Sequence, residues 1–496
     1  MENVDIAIVL LAIVTMLYLL VKGYLRPGLI LFSVVVLLLC CGILTPADAL
    51  AGFANKGMVT VALLFLVSEG IRRSDCLGPV MKRLFPAGSR STIRRGYATI
   101  LPTVASISAF LNNTPIVVIF IPHIKAWCSR ASLPLKKFLI PLSYAAILGG
   151  MCTLIGTSTN LVVHSLMLDA GLAGFTLFEL GKVGGIVALA GLGYIILFGA
   201  RRLPEQVVEP RRIDSHIVEV VLAARFPGIR CTMEQFDFHK HYGAKIIAVR
   251  RDGEQLDDLE GYSYKENDTL TLAAERGFVD TWADSRVFLI ITNGREHEPQ
   301  APRWKRQLSL LLLVVMVVGA TVGDMFLWAA VVAVIMAFCN IFPAKKYTKF
   351  ISWDILVTIA SAFAISRAMT LSGLADAIAL SLIELSGSLS PRALLIAIYL
   401  TTNIITELIT NNAAAAFAFP VALSVASQAG INPTPLCVAI CIAASASFCT
   451  PIGYQTNMIV QGLGGYSFSD FVRIGLPLSI ITFAVSIIFI PIFWSF

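Results

Sequence analysis

A nine-residue pattern, Cys-Thr-x-Ile-Gly-x-x-Thr-Asn, occurs twice in this 496-residue chain, at 152–160 and again without a gap at 449–457. Upstream of each copy lies a second match. Ser-Ala-Phe-Leu-Asn-Asn-Thr-Pro (108–115) aligns with Thr-Glu-Leu-Ile-Thr-Asn-Asn-Ala (406–413), which sets Asn113 on Asn411, and a proline follows nine residues after each, Pro122 and Pro420. The separations Asn113 to Asn160 and Asn411 to Asn457 are 47 and 46 residues. Apolar sequence of low complexity does not give such agreement by chance, so the chain contains two copies of one unit.

The units belong to a membrane protein. Of all residues 57% are hydrophobic and only 14% charged, with a mean hydropathy of +0.79. Apolar runs near 5–22, 28–44, 57–71 and 177–199, and again near 308–323, 326–342, 353–369 and 471–495, suit helices crossing the hydrocarbon, which takes roughly 17 to 25 residues. Between them, 92–127 with 136–167 and 391–428 with 434–463 carry Asn, Thr, Gly and Pro in apolar surroundings. Such blocks predict re-entrant hairpins followed by broken helices. The N-terminus begins with acidic residues where a signal peptide has basic ones, so it reads as a retained span. The expected fold is an all-α polytopic membrane protein with two inverted repeats, each holding a re-entrant hairpin and a broken helix, plus a small cytoplasmic α/β domain. The divisions are residues 1–200, an insert at 201–306 with an α/β module over 207–290, and 307–496.

Charge placement marks that insert. Residues 201–306 hold 17 of the 38 Lys and Arg and 18 of the 31 Asp and Glu. The insert nets −1 and the membrane part +8, so the basic excess faces anionic lipid headgroups, and nucleic acid is excluded as a partner. With the N-terminus outside, 22 loop Lys and Arg fall on the cytoplasmic side and four (Lys56, Lys182, Arg367, Arg392) outside. The expectation is a multi-pass protein of the plasma (inner) membrane with extracytoplasmic termini and a cytoplasmic insert. Five crossings in the first half force the second half to insert upside down. The ten cysteines include no CxxC pair and read as small buried hydrophobes.

A backbone that turns inside a membrane lacks water, so its polar groups need side chains, ions or substrate. Tip residues Asn112, Asn113, Thr114, Thr410, Asn411 and Asn412, with Thr159, Asn160, Thr456 and Asn457 after the breaks, are the candidate substrate-binding residues. Their oxygens, with unwound carbonyls, can surround a cation, while a returning half-helix offers its N-terminus to an anion. Gly156 and Gly453 let the broken backbone take unusual angles. No Lys or Arg stands near the tips, so an anion there depends on dipoles, amides and co-bound cations. Helix bridging is the competing role for these polar residues, Thr153, Thr450 and Ser158 included. Glu407 is either a coupling carboxylate or a brace, and His164 reads as a packed or hydrogen-bonded histidine.

These residues resemble the divalent anion/sodium symporter family of the ion transporter superfamily, which includes sodium-coupled dicarboxylate, citrate and sulfate transporters. The resemblance spans both membrane halves. That family carries Ser-Asn-Thr at each tip; here the tips read Asn112-Asn113-Thr114 and Thr410-Asn411-Asn412, with one flank changed in each. The resemblance implies sodium sites at Asn113 with Gly156 and at Asn411 with Gly453, Ser108 and Thr406 being secondary candidates. It also implies co-transported sodium ions with no organic cofactor, a small anionic substrate, a homodimer and an elevator motion.

In the insert, strand-like runs IVEVVLAA, AKIIAVRRDG and TLTLAA, one amphipathic stretch near 232–241 and a turn at Arg251-Asp252-Gly253-Glu254 predict the α/β module. It resembles the C-terminal module of potassium-conductance regulators, which implies sensing of a small cytosolic effector or dimer contact, against a passive inserted domain. His239 and His241 read as solvated. The expected function is sodium-coupled symport of sulfate or a di- or tricarboxylate. The alternatives are a cation/proton antiporter or oxyanion efflux permease centred on Glu407, or a ligand-gated channel. No catalytic constellation suggests an enzyme.

Overall fold

Among the described residues, and leaving aside the short helices Pro46–Ala51 and Tyr347–Phe350, nine helices in the first half have nine counterparts in the second. In this computed structural model the first set is α1 (Glu2–Lys22), α2 (Pro27–Cys40), α3 (Lys56–Arg73), α4 (Gly78–Leu84), α5 (Ile93–Ser108), α6 (Asn113–Ala131), α7 (Leu139–Gly150), α8 (Ser158–Asp169) and α9 (Gly181–Tyr194, continuing to Arg202). A short helix of the insert is α10 (Phe238–Tyr242). The second set is α11 (Arg303–Val322), α12 (Met325–Phe338), α13 (Trp353–Leu371), α14 (Leu374–Leu385), α15 (Pro391–Leu408), α16 (Asn411–Ala429), α17 (Thr434–Ser445), α18 (Gln455–Gly464) and α19 (Phe468–Phe493). The described residues are all but 1, 23–24, 75, 86–91, 132, 205–216, 224, 252–253, 257–260, 275–277, 279–281, 283–284, 286, 294–301 and 386–389.

Local sequence explains the helix ends. Asn55 caps α3 by accepting from Gly57 N, and Arg72 and Arg73 close it, matching its dipole. Ser467 and Asp470 form a capping box at the start of α19. Among the described residues, seven helical stretches are long and apolar enough to cross a membrane, and α2, α12 and α17 are shorter apolar helices. The helices α4 and α14 lie outside the expected runs, and α4 at seven residues is too brief to give a periodic signal.

Contacts between the halves recur with the roles exchanged. The pair α2–α13 answers α12–α3, α7–α18 answers α17–α8, and α9 packs on its own counterpart α19. A two-fold relation between the halves would produce this pattern. Depth follows apolarity: every residue of α7 is buried, as is α17 after Thr434, because a helix apolar all round belongs inside protein. The α11 helix instead leaves Leu310, Leu311, Val314, Val318 and Val322 exposed, as a lipid-facing helix does. Helices α5 and α7 touch backbone to backbone, since a Cβ on Gly149 would lie 2.1 Å from Ala105 O.

The insert contains one antiparallel sheet of order β3-β2-β4-β1-β5, with β1 Ile217–Leu222, β2 Ala244–Arg251, β3 Glu254–Leu256, β4 Thr269–Ala274 and β5 Phe288–Asn293. Strands β1, β2 and β4 fall on the three expected runs. The amphipathic stretch near 232–241 forms only the five-residue α10, so the described part of the module is mostly β rather than evenly α/β. Strand β5, from the apolar run Val287–Ile291, was not anticipated. Asp252 and Gly253 lie outside the described residues. Alternation along β1 sorts its side chains: Val218, Val220 and Leu222 enter the module's own core, while Val221 joins the membrane core.

Two expectations need correction. Cys40 and Cys41, at the C-terminal end of α2, are exposed, and Cys152, Cys231, Cys339 and Cys449 are half-buried. Gly156 and Gly453 are not among the residues with positive φ, so angular freedom is not what glycine supplies there. A Cβ at Gly156 would come within 2.5 Å of Gly150 O, and one at Gly453 within 2.0 Å of Ser447 Oγ and 2.4 Å of Thr406 O. Each glycine lets its loop press against neighbouring backbone.

Candidate functional site

Helices α5 and α6 meet at a tip between Ser108 and Asn113, and α15 and α16 meet at one between Leu408 and Asn411. The broken pairs α7/α8 and α17/α18 leave loops at 151–157 and 446–454. Side chains tie each loop to its own tip, and the ties match residue for residue across the repeat. Thr153 Oγ donates to Ala109 O, and Thr450 Oγ to Glu407 O at 2.8 Å. Those hydroxyls accept from Gly156 N and Gly453 N at 3.2 and 3.3 Å. Asn160 Nδ2 donates to Thr153 O (2.8 Å) and Gly150 O (3.4 Å); Asn457 Nδ2 donates to Thr450 O (3.3 Å) and Ser447 O (2.9 Å). Thr153, Thr450, Asn160 and Asn457 therefore brace the loops. Asn457 Oδ1 also accepts from Ser143 Oγ at 2.6 Å, whereas Asn160 Oδ1 is buried with no partner. The Thr456 hydroxyl lies 2.8 Å from the same Ser143 Oγ, to which it can donate.

Within each tip a hydroxyl meets the asparagine. Ser108 Oγ lies 2.7 Å from Asn113 Oδ1 and Thr406 Oγ 2.9 Å from Asn411 Oδ1. Both hydroxyls are fully buried. The Asn411 amide group sits among oxygens: the atom facing them is 2.9 Å from Gly453 O, 3.2 Å from Ala444 O and 2.9 Å from Thr406 Oγ. Placed nitrogen-first, the amide donates to these groups. Placed oxygen-first, it completes a cluster of acceptors only, since the Thr406 hydroxyl hydrogen goes to Ala444 O at 2.6 Å.

The two repeats also reach each other. Ser158 Oγ and Thr159 Oγ lie 3.2 and 3.1 Å from Asn412 Oδ1. Tyr454 OH accepts from Asn113 Nδ2 and stands 3.3 Å from Thr157 Oγ, while Thr114 Oγ donates to Gln455 Oε1 at 3.3 Å. Thr410 Oγ is buried without a partner, and Asn112 is half-buried beside Asn113. All the expected site residues thus gather around the two tips and two breaks. Sequence reasoning missed Ser143, Tyr454 and Gln455. Ser143 is the only hydroxyl residue in the apolar run of α7 except Tyr144, and Tyr454-Gln455 is where the second motif copy departs from Thr157-Ser158.

Glu407 is a brace. Its carboxylate accepts from Phe448 N, Cys449 N and Thr450 N, each at 2.9 Å, and from Ser447 Oγ at 3.2 Å. The equivalent amides of the first break use backbone instead, Met151 N on Ile147 O and Cys152 N on Gly149 O. The difference has a cause: α7 runs two residues further along the repeat than α17, and the carboxylate replaces the missing turn. Ala109 in the first copy has nothing of this kind to do. His164 Nδ1 accepts from Phe175 N at 2.9 Å, as a hydrogen-bonded histidine would. Among the described residues no group of three or more His, Cys, Asp or Glu could hold a metal.

The module sits against the site's own helices. Glu219 on β1 pairs with Lys125 on α6 at 2.6 Å, and Asn267 Nδ2 reaches Met458 Sδ on α18 at 3.5 Å. A cavity of about 70 Å³ lies there, lined by Arg251, Lys265, Asn267, Asp268, Gln461 and Gly462 among others.

Known proteins share this chain's pattern. An uncharacterized transporter of Synechocystis sp. is 29% identical, over 97% of this chain and 96% of its own length. A probable sodium/sulfate cotransporter of Chlamydomonas reinhardtii is 31% identical over 62% of this chain and 35% of its own. The YdaH transporter of Alcanivorax borkumensis has the same fold, with a TM-score of 0.52 at 12% identity over 90% of this chain and 86% of that one. The sequence matches the citrate transporter family, CitMHS, over residues 8–331 and 324–496. This multi-pass membrane protein is a transporter rather than an enzyme, and it belongs to the citrate transporter family.

Proposed function

We propose that this transporter carries a small divalent anion into the cell together with sodium, and that the anion is sulfate. The observation that carries the reading is the convergence of Asn411, Thr406, Gly453 and Ala444 within 3.2 Å at the second tip. Nitrogen-first, the Asn411 amide ties these oxygens together; turned oxygen-first, it would complete a set of acceptors able to hold a cation. Asn113 with Ser108 and Gly156 forms the related site of the first repeat. The anion lies between the tips, held by Asn112, Thr114, Thr410, Asn412 and Thr159 and by the N-termini of α6 and α16. With no Lys or Arg near the tips, bound sodium supplies the positive charge, which couples the two ions. Relatives named sodium/sulfate cotransporters support sulfate.

The wider reading follows from the repeat. The halves are inverted in the membrane, the tips are re-entrant, and the tips with their broken helices move as one body past the outer helices in a homodimer. The module is cytoplasmic, and a small effector would act through the cavity against α18. The engagement of Glu407 by the second break argues against the proton-exchange alternative centred on it.

The test is uptake by protein reconstituted in liposomes, with and without a sodium gradient. Asn113→Ala and Asn411→Ala should each lower sodium affinity about ten- to a hundredfold, as expected for losing a contact of about 1.5 to 3 kcal/mol to a charged group. Sulfate affinity should fall in parallel, and Cys152→Ala or Cys449→Ala should change little. Unaltered sodium dependence in both asparagine variants would sink the reading.

A further inference from the structure

The repeats do not meet evenly at the site. On one side the first break reaches the second tip with short hydroxyls, Ser158 and Thr159 on Asn412 at 3.2 and 3.1 Å. On the other, the second break reaches the first tip with long side chains, Tyr454 on Asn113 and Gln455 on Thr114. These two occupy the repeat positions of Thr157 and Ser158. A threonine and a serine at 454 and 455 would stop short of the first tip. The tip residues offset part of this difference, since Asn412 stands where the first tip has the shorter Thr114, but the Tyr454 phenol has only Thr157 as its counterpart and adds bulk beside the first tip. The phenol oxygen also meets Thr157, so one side chain spans the first tip and both breaks.

We propose that Tyr454 and Gln455 set the size limit of the anion site. They occupy the room beside the first tip that the bare repeat would leave open, and so confine the ligand to a compact tetrahedral oxyanion while excluding elongated di- and tricarboxylates. Sulfate presents its oxygens on one small sphere. Succinate needs two anion-binding positions separated by a two-carbon spacer, and citrate needs more. With the short side chains of the first repeat in place, Asn113 and Thr114 would lose their partners and face an open, polar-rimmed space suited to a second carboxylate. This inference rests on the reading that the anion lies between the tips.

The experiment uses the full-length protein in liposomes with radiolabelled sulfate, and succinate or citrate as competitors. Wild type should take up sulfate unaffected by either competitor. Tyr454→Thr with Gln455→Ser should become sensitive to succinate, with the inhibitory concentration falling about tenfold or more while the sulfate KM moves by less. Tyr454→Phe, which keeps the ring, should remain indifferent to succinate. Gln455 is exposed, so Gln455→Ser tests half of the proposal even if the tyrosine variants do not fold. The proposal is overturned if wild type already accepts succinate as well as sulfate, or if the double variant and Gln455→Ser both fold and stay indifferent. Failure of the underlying reading looks different: Asn113→Ala and Asn411→Ala would then transport with native sodium and sulfate affinities.

Discussion

Glu407 shows how a single side chain can replace a turn of helix. Three amides released by the early end of α17 would otherwise be buried donors without partners, each costing about 1 to 3 kcal/mol. Glu407→Ala should therefore lower the thermal midpoint markedly and abolish transport through misplacement of the second break. Glu407→Gln keeps one acceptor oxygen and should recover part of the stability. A brace carries no proton, so the pH profile of uptake in Glu407→Gln should keep the wild-type shape. A Glu407→Gln protein with native stability and a flattened pH profile would restore the coupling role.

Among the elements, the contact between β1 and α6 is the most open to direct test. Burial works against the Glu219 charge, but the Lys125 ammonium and the nearby Arg250 outweigh it and hold the carboxyl below its ordinary 4.5. A group whose folded pKa is depressed contributes stability above its unfolded value and loses it as pH falls through the folded one. Docking of the module should thus be constant from neutral pH down to about 5 and weaken only below about 4.5. Glu219→Gln should show weaker docking throughout. Hydrogen exchange of residues 217–222 measures both, and equal protection in wild type and variant would show that the ion pair does not hold the module.

For the whole molecule, orientation is the first property to establish. A cysteine at the exposed Lys245, in protein with Cys40 and Cys41 replaced by serine, should resist an impermeant thiol reagent added outside intact cells and react after permeabilisation. Reaction from outside would reverse the topology. Protection from outside would place the module, which packs beside α6 and α18, on the cytoplasmic face. These helices frame the first tip and the second break, so an effector bound there would act on site-forming elements and not on the outer helices.

The sequence by itself determined the two-copy plan, because a repeated hydrogen-bonding network needs the same polar residues at the same spacing. Ser108 with Thr406, Thr153 with Thr450 and Asn160 with Asn457 are legible as pairs, and the structure gives the members of each pair the same partners. Long apolar helices were legible for the same reason, since crossing length and apolarity are local properties. Roles that depend on distance between the copies were not. Whether Glu407 carries a proton or caps a loop depends on where α17 ends relative to α15. Whether Gly453 bends the chain or admits Thr406 O depends on how closely two backbones approach. The sequence shows that Tyr454 differs from Thr157, but only the tertiary structure shows the phenol crossing to Asn113, because nothing along one strand of sequence records the width of the gap between two repeats.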